Sequence, residues 1–154
     1  MNSTRDKEKK VDYGGRIPPQ VLSAEEHLLG ALLQDSHAFS LCIDSHISAA
    51  DFYLEKHGAI FEVLENLYNQ SQPVDIIFVE EGLKRSQKLD LVGGKDYLFN
   101  LVGKVATSAN VKYHADLIKE KSQLRALISS SNKIITMAME EGADTNNVMQ
   151  EAEK

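Results

Sequence analysis

Between Asn110 and Glu141 the chain runs for 32 residues without a glycine or a proline. A helix over that span is ~48 Å long at 1.5 Å per residue, longer than a small globule is wide. Its own domain cannot cover such a helix from end to end, so part of it projects or gives a face to a neighbour. Gly142 follows as a stop, because glycine accepts the left-handed conformation that closes helices. Asp144 or Thr145 then caps a further amphipathic segment through Val148 and Met149, which has room for about two turns before Lys154. A domain seldom ends inside a fresh helix, so the chain is expected to be a fragment of a longer protein.

The segments before this helix also read as helices, with almost no period-2 alternation. Ser23 and Glu26 make a capping box, opening a helix that carries Leu28, Leu29, Leu32 and Leu33 on one stripe to about Gln34. Ser36 is expected to cap a shorter helix with Phe39, Leu41, Cys42 and Ile43, and Ser48 with Asp51 forms a second box. A helix from about Lys56 to Gln70 places Ile60, Phe61, Leu64, Leu67 and Tyr68 at helical spacings, and Pro73 ends it. Ile76-Ile77-Phe78-Val79 is strand-like in propensity, but Val79 and Leu83 are four apart and Asp75 offers a cap, so helix is preferred. Leu91-Val92-Gly93-Gly94 reads as a turn, followed by a helix with Tyr97, Leu98, Leu101 and Val102, and Thr107-Ser108-Ala109-Asn110 marks the next start. The fold class is all-α: a flexible tail over 1–16, an orthogonal helical head over 17–106, and a helical hairpin over 107–154 whose second arm is truncated.

Composition bounds the chemistry. The 154 residues, 42% hydrophobic and 26% charged, have the balance of a folded domain. A single cysteine, Cys42, excludes an internal disulfide and a thiolate metal cage. No apolar run approaches the ~18 residues of a membrane helix, and the first ten residues lack the apolar core of a signal peptide, so the protein is expected to be cytoplasmic. Net charge is −6, divided as +2 over residues 1–16 and −8 over the rest. An acidic body lacks the clustered cations that neutralise phosphates, which argues against strong DNA binding by this chain alone.

No constellation forms an active site. His27, His37, His46, His57 and His114 contain no HExxH motif, and exposed or core-edge positions are expected for them. Cys42, between Leu41 and Ile43, reads as a small buried thiol. Gly93-Gly94-Lys95-Asp96 is not a phosphate loop: Leu89 stands where the first glycine belongs, and Asp96 replaces the Ser or Thr that would bind magnesium. Pairs such as Glu25-Glu26, Glu80-Glu81 and Glu140-Glu141 read as solvated faces or helix ends. What remains is apolar surface on the long helix. Leu127 and Ile134 share one line, Ile128 and Ile135 a second about 100° away. Leu117, Leu124, Ile128, Ile135 and Met139 form a stripe suited to self-association. The alternative is one wide core-facing stripe.

The order of these pieces resembles a family. Pro18-Pro19, then Ala24-Glu25 with Leu28-Leu29-Gly30-Ala31-Leu32-Leu33 and Asp35, is similar to the opening of the N-terminal domain of DnaB-type bacterial replicative DNA helicases. So are Asp51-Phe52-Tyr53 with His57 and Ile60-Phe61, Pro73-Val74-Asp75, Gly93-Gly94 with Tyr97-Leu98, Ser108-Ala109-Asn110 with Tyr113, and Glu120-Lys121 with Arg125 and Leu127-Ile128. The likeness spans about 17–153. It implies a head and a hairpin that pair with a second copy, three pairs forming a collar on a hexameric ring that supports assembly and docks primase. It also implies that ATP and magnesium belong to a C-terminal motor domain that is not in this sequence, that no cofactor or metal binds here, that a helicase loader is a further partner, and that DNA is met only through the complete ring. On this reading Tyr97, Ile128 and Ile134 are the candidate primase anchors, since docking needs apolar or aromatic groups that the fold leaves free. A stand-alone helical adaptor or loader-like protein on the same domain is the alternative.

Overall fold

Leu28, Leu29, Leu32 and Leu33 recur at helical spacing and bury one face of the first helix, α1 (Leu22–Gln34). The computed structural model describes residues 12–105 and 110–154. Most of the expected tail and the start at Thr107-Ser108-Ala109 lie outside the described residues. The expected box at Ser23 does not form. Val21 is the N-cap, without a side-chain cap bond, and it packs against the core. Apolar burial thus starts the helix before the hydroxyl can cap it, and Ser23 lies inside α1. Ser36 does not cap either: the Asp35 side chain accepts the His37 N–H at 3.0 Å. It opens a 3-10 turn, Ser36–Phe39, that runs into the short α2 (Ser40–Ile43). Ser48 and Asp51 do form their box, with Ser48 N–H donating to Asp51 Oδ2 at 2.8 Å.

The next helix, α3 (Glu55–Asn69), buries His57, Ile60, Phe61 and Leu64. At Ile76 the ambiguity resolves as helix. The Asp75 carboxylate accepts the Phe78 N–H at 3.1 Å and starts α4 (Ile76–Arg85), whose Val79 and Leu83 are buried. The expected turn at Leu91 is instead a single helical turn, α5 (Leu89–Val92). Gly93 then adopts φ +101°, open to glycine at little cost, and α6 (Gly94–Gly103) follows. Gly30 permits close packing of α1 on α6: a Cβ there would lie 2.3 Å from the Leu101 carbonyl oxygen. Gln34 Nε2 donates to the carbonyls of Val102 and Val105 at 2.8 and 2.7 Å, satisfying the end of α6. Stacked rings join the layers, with Phe39 5.6 Å from Phe61 and 4.6 Å from Tyr68.

The long helix exists as α7 (Val111–Met139), 29 residues. The chain divides into two compact units within it, at Ser122 and Gln123. Residues 20–122 form the first, α-helical around one core, and include the base of α7 with Val111, Ala115 and Ile118 buried. In the second, residues 123–139 continue α7. Gly142 turns the chain at φ +75°, and the Asp144 carboxylate accepts the Asn146 N–H at 3.0 Å to start α8 (Thr145–Ala152). Lys133 meets Glu151 at 2.7 Å, so α8 returns antiparallel along α7. Residues 12–19 lie along this part of α7: Arg125 donates to the Pro19 carbonyl at 2.7 Å and Asn132 to that of Asp12 at 2.5 Å. Among the described residues there is no strand, and no helix is long and apolar enough to cross a membrane.

Candidate functional site

Beyond Ser122, α7 leaves an apolar stripe in solvent. Leu124 is 38%, Ile135 58% and Met139 81% exposed, and with the half-buried Ile128 they fall within about 60° around the helix. Leu127, 63% exposed, and half-buried Ile134 form the neighbouring line. Met149 adds an exposed apolar side chain on α8. Leu117 is set apart from the stripe: it is half-buried and packs on the core of the first unit. Ile128 borders a cavity of about 520 Å³ with Tyr13, Ile17, Pro19 and Asn132. Ile128 and Ile134 point about 120° apart around α7, so they do not share one patch.

Tyr97 is joined to the interior. Its ring stacks on that of His57, and its hydroxyl is 2.6 Å from His57 Nε2. His57 Nδ1 is 2.7 Å from Glu25 Oε1, and Glu25 Oε2 accepts the Tyr53 N–H at 2.8 Å. The buried carboxylate therefore orients the imidazole and satisfies backbone at the entry to α3. Burial first, then the negative charges of Glu26 and Glu25, pushes the Tyr97 hydroxyl up to about 12. Lys56 Nζ lies 4.0 Å from the ring centroid, on a partly exposed side chain. His57 is fully buried, against the expectation of an exposed or core-edge histidine; its environment comes from Glu25 and Tyr97, far from it in sequence.

A second buried carboxylate fastens α7. Asp51 accepts from Ser122 Oγ at 2.7 Å and meets Lys119 Nζ at 3.3 Å, besides its bond with Ser48. Burial alone would raise its pKa; the hydrogen bonds from Ser122, Ser48 and Lys119 outweigh it and hold the group below the usual carboxylate value. Ser45 Oγ donates to Asp116 at 2.5 Å, a further tie at the base. The capping role of Asp51 was legible in sequence, but its reach to Ser122 was not. Cys42 is buried, and burial pushes its thiol up to about 12, which keeps it a thiol. Among the described residues no three His, Cys, Asp or Glu converge on a metal position. What the geometry provides is a braced helix base and an apolar helix tip.

Comparison with known proteins agrees with the helical layout. Residues 17–120 match the family model described as the DnaB-like helicase N terminal domain. The chain is 38% identical over 122 residues to the replicative DNA helicase DnaB of Geobacillus stearothermophilus, covering 79% of this chain and 27% of that protein. It is 33% identical over 141 residues to DnaB of Mycobacterium leprae, covering 90% and 23%. The chain thus spans about a quarter of the length of these curated relatives. Its fold superposes on the N-terminal domain of DnaB helicase from Mycobacterium tuberculosis with a TM-score of 0.84 and 32% identity, over 89% of this chain and 96% of that one. A solved DnaB-like replicative helicase, described with its interactions with primase, matches with a TM-score of 0.62 and 26% identity, over 87% of this chain and 35% of that one.

Proposed function

Since the chain belongs to the DnaB-like helicase N-terminal domain family, we propose that it is the non-catalytic collar domain of a hexameric replicative helicase, supporting ring assembly and docking primase in the cytoplasm. The observation that carries this reading is the exposed stripe of Leu124, Ile135 and Met139 on the tip of α7. A chain with that surface gains by covering it with a second copy. Three such pairs would complete a collar. ATP, magnesium and strand translocation belong, in this reading, to a motor domain C-terminal to the collar, and DNA meets the ring as a whole. A helicase loader is a further partner. The stand-alone adaptor on the same domain is the second reading; a phosphate-binding loop in the complete reading frame would decide against it.

Sedimentation velocity tests the association. The chain is expected to show a weak monomer–dimer equilibrium that Ile135→Asp abolishes; an unchanged equilibrium in the variant would remove the stripe from the interface. Primase docking is tested with the helicase-interacting domain of the cognate primase and this chain. Tyr97→Ala, Ile128→Ala and Ile134→Ala are each expected to weaken binding. Wild-type affinity in all three would exclude these anchors.

A further inference from the structure

His27 of α1 and His114 in the first turns of α7 stack with ring centroids 5.5 Å apart and planes at 26°. His27 Nδ1 lies 2.6 Å from the Ser23 carbonyl. A carbonyl only accepts, so the hydrogen bond puts a proton on that nitrogen. His114 Nδ1 is buried and has no hydrogen-bond partner among the described residues. An N–H at that place would be unsatisfied, so the neutral ring carries its hydrogen on Nε2. The edge of Tyr113 closes on the same imidazole, 5.7 Å between centroids. The pair therefore joins two helices through stacked imidazoles.

We propose that the His27–His114 stack is a pH-sensitive clasp, holding the base of α7 on α1 while both imidazoles are neutral and loosening it when both are protonated. Protonating His114 creates a donor at the buried Nδ1 that meets no acceptor. Protonating both rings also sets two positive charges face to face at 5.5 Å. The charged groups next to the two histidines in sequence are engaged elsewhere. Glu26 of α1 pairs with Lys104 beyond the end of α6. Lys112 and Asp116 of α7 pair with each other at 2.8 Å, with Asp44, beyond α2, adding to the field on Lys112. Burial, and after it the charge of His27, holds His114 below the ordinary 6.5. The sign follows from linkage: the unfolded chain takes up the proton first, so this contribution is complete above 6.5 and is lost as pH falls below it. The clasp lies within one compact unit and needs no partner, so it stands or falls apart from the association reading.

The test uses the chain as it is, with histidine side-chain NMR titration and amide exchange at residues 111–122, expressed as protection factors at pH 7.5 and 5.5. His114 is expected to titrate below 6.5, and protection at the base of α7 to fall several-fold at the lower pH. Both effects should shrink in His27→Gln, which removes the second charge from a partly exposed site. His114→Phe, which keeps a ring in the stack, should make base protection nearly independent of pH. A His114 midpoint at or above 6.5, or an equal loss of protection in wild type and His27→Gln, would overturn the clasp. Should His114→Phe fail to fold, the wild-type midpoint and the His27→Gln comparison decide by themselves.

Discussion

The hydroxyl of Tyr97 sits 2.6 Å from His57 Nε2, and that bond governs how any substitution at 97 is read. Tyr97→Ala removes ring, hydroxyl and stacking together. Tyr97→Phe keeps the ring and strips only the bond, leaving the buried His57 nitrogen without its partner, at a cost of about 1–3 kcal/mol by chemical denaturation. A primase interaction that survives Tyr97→Phe but not Tyr97→Ala would use the ring itself. The same hydroxyl predicts an alkaline effect. Its folded value, about 12, lies above the ordinary 10. Its contribution is complete below 10 and is lost as pH rises through about 12. Stability measured from pH 9 upward should fall more steeply in wild type than in Tyr97→Phe. At Asp51 the direction is opposite. The depressed carboxylate contributes above the ordinary 3.8 and loses that contribution as pH falls through its folded value. Asp51→Asn should cost about 2 kcal/mol at neutral pH and flatten the acid limb of a stability–pH curve.

Among the elements, α7 is the least uniform. Its base is held by buried Val111, Ala115 and Ile118 and by the bonds of Asp51 and Asp116. Its middle carries Ser129, Ser130, Ser131 and Asn132 in succession, each about 0.5 kcal/mol worse than alanine in a helix, or about 2 kcal/mol together. Residues 130–139 should therefore exchange their amides faster than 113–122 in the monomer; equal rates would show that α8 and residues 12–19 hold the tip as firmly as the core holds the base. The presence and length of α7 were legible from the missing glycines and prolines, and its tip was legible as an excess of apolar residues. The caps were read less well. Ser23 and Ser36 look like N-caps locally, yet Val21 and Asp35 take those places, because a helix start also answers to what the neighbouring side chains bury. The Glu25–His57–Tyr97 chain was invisible for a related reason: its members are 32 and 40 residues apart and only the packed helices bring them together.

For the molecule as a whole, the two ends of α7 are stabilised by different physics. Hydrogen bonds and an ion pair to Asp51 add to buried Val111, Ala115 and Ile118 in anchoring the base; to a second copy the tip offers an apolar stripe, with Met139 nearly as exposed as a free side chain. Apolar association weakens on cooling, whereas a hydrogen-bonded anchorage does not share that dependence. Dimers formed through the tip should thus dissociate between 25 °C and 4 °C while the helical circular dichroism of the chain stays constant, a separation that sedimentation and spectroscopy on one sample would reveal. Association through such a tip would be cold-labile while the fold is cold-stable, so a chilled sample would hold smaller particles made of intact chains.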